Sequence, residues 1–150
     1  MAGLIILDAS VLIAYLDSSD AHYARAIDLI LNSHEALAVN EITWAEVLVG
    51  AVKDGIEPIV SKTVLIDMGV EVIIPVTEDW PLFLAKVRAA TGLKLPDALV
   101  LATAKLLDAK VATFDDHLAK IASEQKILFH ERITVGIIDD SAYFGELKTQ

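Results

Sequence analysis

No cysteine occurs among the 150 residues. Disulfides, thiolate metal sites and cysteine nucleophiles are therefore excluded, and nothing marks an oxidising compartment. Positive charge is scarce as well: 12 Lys and Arg face 22 Asp and Glu, a formal net charge of −10. A protein that grips nucleic acid by neutralising phosphates is usually basic, so a tight non-specific hold on nucleic acid is disfavoured, while contact through bound cations is not. Acidity of this size also suits a partner carrying Lys or Arg, or simply a well-solvated surface. Long apolar runs are missing too. The first run, Leu4–Leu7, has no basic region before it and is cut by Asp8. Neither a signal peptide nor a membrane span is expected, and the expected location is the cytoplasm. Internal repeats and low-complexity tracts are also absent. What remains is a 55% apolar chain of a length that suits one domain, residues 1–150, with a core large enough to need no staples.

The stretch Leu4-Ile5-Ile6-Leu7-Asp8-Ala9-Ser10 anchors the reading. Four apolar residues suit a strand covered on both faces, and parallel sheets place functional groups at strand carboxyl ends. Asp8 stands there. It also stands where a helix N-cap would, ahead of Val11–Leu16, and both readings are open at this point.

Down the chain, His22–Leu31 reads as an amphipathic helix, Ala36–Asn40 as a second strand, and Thr43–Lys53 as a helix stopped by Gly55. Glu46 on that helix has the look of an ordinary solvated glutamate. Ile59–Met68 predicts a helix ending at Gly69, and Val70–Val76 a third strand closed by Pro75. A helix capped by Thr77 would reach about Ala90, and after a loop through Pro96, Asp97 opens a helix that is apolar almost all round and therefore buried. Lys110–Asp116 repeats the opening theme as a fourth strand leading to Thr113, Asp115 and Asp116, followed by a helix over His117–Ala122. Ile133–Ile138 is a candidate fifth strand. The alternation predicts an α/β domain with a parallel sheet of four to five strands and helices on both faces.

Asp8 and Asp115 each end a strand, and right-handed crossovers bring such ends to one edge of a sheet. Carboxylates meeting there repel by about 4 kcal/mol per pair at about 4 Å in an effective dielectric near 20. Lys94 could fold in, but the economical offset is a divalent cation, and all-oxygen ligands select Mg²⁺ or Mn²⁺ over zinc. His22, His34, His117 and His130 show no zinc-ligand spacing and read as surface or core histidines. Such a cation activates water and polarises a phosphodiester, with Ser10 and Thr113 orienting the carboxylates.

Leu7-Asp8-Ala9-Ser10-Val11-Leu12-Ile13-Ala14, Glu46 within Thr43–Leu48, Leu95-Pro96-Asp97-Ala98-Leu99-Val100 and Thr113-Phe114-Asp115 together resemble the PIN-domain ribonucleases, above all the VapC-type toxins of prokaryotic toxin–antitoxin pairs. The resemblance covers residues 4–120, with the four elements in the family's order. It implies a Mg²⁺- or Mn²⁺-dependent endoribonuclease in which Asp8, Glu46, Asp97 and Asp115 are the catalytic and metal-binding quartet, with Asp116 as an extra acid that assists. It further implies a homodimer and an antitoxin whose carboxyl-terminal segment covers the acidic cleft. Residues 119–150 are longer than the family pattern and form an atypical extension.

Three other readings compete. A PIN nuclease of RNA processing or decay would carry the same residues without an antitoxin. A phosphohydrolase of the haloacid-dehalogenase type also begins with a strand ending in Asp, but its second Asp would occupy the position of Ser10. A non-catalytic protein-binding module would use the acids as caps and solvated charge.

Overall fold

The computed structural model describes residues 3–55 and 57–130. The candidate fifth strand Ile133–Ile138 lies outside them. Four strands, β1 (Leu4–Leu7), β2 (Ala36–Asn40), β3 (Val70–Ile73) and β4 (Lys110–Ala112), form one parallel sheet in the order β3-β2-β1-β4. Seven helices lie among the described residues: α1 (Ala9–Leu16), α2 (Tyr23–Asn32), α3 (Glu41–Lys53), α4 (Pro58–Met68), α5 (Trp80–Thr91), α6 (Leu95–Leu106) and α7 (Asp116–Glu124).

Strand periodicity sorts the core into two layers. Ile5, Leu7, Leu37 and Val39 face one way and pack against α1, α2, α3 and α4 through Leu12, Ala26, Ile30, Val47 and Leu65. Ile6, Ala38 and Val111 face the other way, onto α5, α6 and α7 through Val87, Leu101 and Leu118. Alternate side chains of a strand point to opposite faces, so an unbroken apolar run serves both layers. The expected helices on both faces are present. Ile5, Ile6 and Leu7 are wholly buried, and by area bookkeeping each contributes about 1.5–3 kcal/mol.

Element boundaries depart from the sequence reading for local reasons. Helix α3 begins at Glu41 rather than Thr43 because the Asn40 side chain accepts from the Ile42 amide at 2.8 Å and caps it. Helix α6 begins at Leu95 rather than Asp97, since Pro96 falls in the first turn, where its missing N–H costs nothing. That moves Asp97 inside the helix. Thr77 does not cap α5; its carbonyl instead accepts from Trp80 N in a turn, and Pro81 again occupies the first turn. Strand β3 stops at Ile73, short of Val76, because Pro75 has no donor for a ladder. Gly69 and Gly92 end α4 and α5 at φ +70° and +71°, a conformation that excludes most side chains.

A segment not anticipated as strand extends the edge beyond β4. Val111 N donates to Ile127 O at 2.7 Å and accepts in return, through its carbonyl, from Phe129 N at 2.8 Å, a parallel bridge that places Ile127–Phe129 beside β4. Helix α7 and this segment fold residues 119–129 onto the domain.

The candidate active site

The chain runs β1, β2, β3 outward in one direction and then returns to place β4 on the other side of β1. The point between β1 and β4 is therefore the switch point of the sheet, where the loops at the strand carboxyl ends part and leave a crevice. Ile5, Ile6 and Leu7 pair with Lys110, Val111 and Ala112. Asp8 and Thr113, the next residues of each strand, are thereby brought side by side, with Asp8 N donating to Ala112 O at 3.0 Å.

Asp8 is 6% exposed and occupies the N-cap position of α1, yet its side chain makes no capping bond. Its Oδ2 accepts instead from two hydroxyls, Ser10 Oγ at 2.7 Å and Thr113 Oγ1 at 2.8 Å. Each hydroxyl in turn accepts a backbone amide of the loop after β4: Phe114 N to Ser10 Oγ at 3.0 Å, Asp115 N to Thr113 Oγ1 at 3.0 Å. One carboxylate oxygen is thus fixed by a closed network, and among the described residues Oδ1 takes no hydrogen bond. Asp115 likewise occupies the N-cap position of α7 without capping it. The cap reading of these two acids therefore fails on geometry.

Asp97, half-buried in the first turn of α6, and Glu46, on α3, complete the group. The Asp97 carboxyl is raised above its usual range by burial and then by the negative charges of Asp8 and Asp115, partly opposed by His117 and Lys94. Glu46 is raised by burial and by the charges of Asp8 and Asp97. Each pair in this chain of effects belongs to the four acids singled out in the sequence, so they lie in one electrostatic neighbourhood. Lys94 does fold in, as one weak counterweight. Among the described residues no three His, Asp or Glu close tightly around a single point. The four acids are linked by their charges, Asp97 to Asp8 and Asp115, and Glu46 to Asp8 and Asp97, without the closure of a coordination shell. Asp116 is exposed and lines a neighbouring pocket.

Two features escaped the sequence. Asn40 ends β2 two residues beyond the Ile6–Ala38 pair, level with Asp8, and is 1% exposed. Besides capping α3 it donates Nδ2 to Thr103 Oγ1 at 3.0 Å, and Thr103 donates to Leu99 O at 2.7 Å. This ties the helix carrying Glu46 to the helix carrying Asp97. An Asn before Glu41 was a readable cap signal; the link to Thr103, 63 residues away, was not. The second feature is the packing of His22 and Arg25 on Phe114, which joins α2 to the loop after β4.

Comparison with known proteins agrees with this geometry. The PIN domain model matches residues 5–124. A search of curated protein sequences finds no match. Among solved structures, a toxin–antitoxin complex from Klebsiella pneumoniae contains a chain 30% identical to this one, the alignment covering 74% of this chain and 86% of that one at a TM-score of 0.58. VapC20 of Mycobacterium tuberculosis, a toxin that cleaves the sarcin–ricin loop, is 15% identical over 78% of this chain and 94% of its own, with a TM-score of 0.64. VapBC2 of Rickettsia felis, bound to a DNA fragment from its promoter, is 15% identical over 85% and 97%, with a TM-score of 0.58. The last two share the fold. With four acids gathered at the switch point of a β3-β2-β1-β4 sheet and a family match running from β1 through α7, the chain belongs to the PIN domain family.

Proposed function

We propose that the protein is a Mg²⁺- or Mn²⁺-dependent endoribonuclease acting as the toxin of a toxin–antitoxin pair, with residues 1–150 forming one nuclease domain. The observation that carries the reading is the meeting of Asp8 with the loop after β4 at the switch point of the sheet, close enough to Asp97 and Glu46 that, after burial, the charge of Asp8 raises both carboxyls. A fold does not gather unneutralised carboxylates beside a buried Asp without cost, and a divalent cation removes that cost.

The donor set fits such an ion. It is made only of oxygens, which favours hard cations such as Mg²⁺ and Mn²⁺ over zinc. Asp8, Asp97, Asp115 and Glu46 are the residues that would hold it. When bound, the cation supplies Lewis-acid polarisation of the phosphodiester and charge neutralisation. The remaining work falls to the chain. Ser10 and Thr113 hold Asp8 in one orientation. A carboxylate of this group that is not engaged by the cation would accept a proton from the attacking water. His117 and Lys94 soften the field that a phosphate must enter.

The 30% identical relative from a toxin–antitoxin complex supports an antitoxin partner. So does the apolar surface on the adjacent helices α1 and α3, where Ile13, Leu16, Ile42, Val49 and Val52 are exposed. A homodimer would use the same kind of surface. No helix among the described residues is long and apolar enough to cross a membrane, which agrees with a cytoplasmic place.

The test is cleavage of RNA by purified protein with Mn²⁺, with Mg²⁺ and with chelator, beside Asp8→Asn. Metal-dependent cutting that is lost in a folded Asp8→Asn protein is the expected result. Cutting that survives either chelation or the substitution refutes the reading.

A further inference from the structure

Beside the acidic cluster, between the start of α2 and the loop after β4, lies a second cavity of about 260 Å³. Its walls include His22, Arg25, Thr113, Phe114, Phe129 and His130. The His22 and Phe114 rings stack with centroids 4.6 Å apart and planes 13° apart, and the Arg25 guanidinium carbon lies 4.8 Å from the Phe114 ring centre. The two sites share a wall. Thr113 Oγ1 donates to Asp8 and also lines the cavity, and Phe114 sits directly between Thr113 and Asp115.

Three properties define the occupant. The volume falls just below the roughly 300 Å³ at which drug-sized pockets begin, enough for one heteroaromatic ring system with part of its sugar. The lining combines aromatic rings, imidazole and a guanidinium plane, the surfaces on which proteins stack unpaired bases. Asp116 also stands on the wall, an acceptor for the amino edge of a base beside the Arg25 guanidinium. We propose that this cavity is a nucleobase subsite, holding a base splayed out of an unpaired RNA strand next to the bond presented to the acidic cluster. The proposal rests on the nuclease reading for its substrate and adds where that substrate is gripped. It also explains how a chain of net charge −10 holds RNA: stacking replaces much of the phosphate neutralisation that basic proteins use.

The test is a titration of the full chain, without metal, with AMP, GMP, CMP and UMP, followed by amide NMR shifts, and with ribose 5-phosphate as the probe lacking a base. Shifts centred on His22, Thr113, Phe114 and Phe129 are expected for nucleotides and not for ribose 5-phosphate. Phe114→Ala should weaken binding about tenfold or more, and Phe114→Tyr should keep it. Arg25→Ala, on α2 rather than in the loop after β4, should also weaken it, so the test does not depend on one variant's fold. Equal shifts from ribose 5-phosphate, shifts centred elsewhere, or none up to the solubility of the nucleotides overturn the subsite, the last being the outcome if the cavity instead receives a side chain of a protein partner. RNA cleavage on the same samples separates the two readings. Cutting with a KM unchanged by Phe114→Ala sinks the subsite alone. Nucleotide shifts in the cavity with no RNA cut under any metal sink the nuclease reading alone.

Discussion

Replacing Thr113 by Val keeps shape and volume while removing one hydroxyl that serves two partners. That hydroxyl donates to the carboxylate of Asp8, which is 6% exposed, and accepts from the Asp115 amide. A hydrogen bond to a charged group contributes about 1.5–3 kcal/mol, and a neutral one about 1 kcal/mol. Ser10 keeps its own bond to Oδ2 and recovers part of the loss. The net cost should fall at about 2–3 kcal/mol, or roughly 4–12 °C in Tm for a chain of this size. Thr113→Ser should recover most of it, since the Oγ alone carries both bonds. Thermal melts of both variants in chelator, with Asp8→Asn and the Asp8→Asn/Thr113→Val pair to close a double-mutant cycle, measure the coupling directly. A coupling below about 0.5 kcal/mol, or a Thr113→Ser protein as unstable as Thr113→Val, would refute the account of how Asp8 is held.

Other outcomes follow from the same geometry. Because the folded state raises the Asp97 carboxyl, it binds protons that the unfolded chain has already released, so apo stability should fall as pH rises through and above the ordinary carboxylate range. Asp97→Asn should flatten that slope in a pH series of melts and raise apo stability at pH 7 by about 0.5 kcal/mol, a value kept small because solvent screens a half-exposed group. The same variant should gain less Tm than wild type on adding Mn²⁺, since it would lose one of the four proposed ligands. Asn40→Ala should cost about 1–3 kcal/mol, from the α3 cap and the Thr103 bond together. Its hydrogen-exchange signature should be faster exchange at Ile42. Asn40→Asp keeps the cap but cannot donate to Thr103 and adds a buried charge level with Asp8, so it should be the less stable of the two in chelator.

The sequence was most readable where chemistry and periodicity coincide. The four-residue apolar run before Asp8 foretold a strand buried on both faces, and the acids at Asp8, Asp97 and Asp115 were found through their place at element ends. Glu46 has no such local mark and was the weakest member of the set before the family resemblance. Boundaries shifted at Pro96, Pro81 and Asn40 because one capping bond or one proline in a first turn moves a start by two or three residues. Asn40–Thr103 and His22–Phe114 were not readable, as both depend on partners 63 and 92 positions apart. Residues 127–129 carry too short a run to announce a strand, and their place beside β4 is decided by the edge they find there.

The bond from Thr113 to Asp8 spans 105 positions, and that separation sets the order in which the molecule can come into being. During synthesis β1 emerges first and can pair early with β2, but its other edge stays open until β4 has left the ribosome. Closing so long a loop is slow and comes late in folding. Until then Asp8 has neither its threonine nor Asp115 beside it, and every shorter nascent chain lacks a formed cleft. A cell making this protein is therefore exposed to the assembled acidic centre only after nearly the whole described domain has been translated.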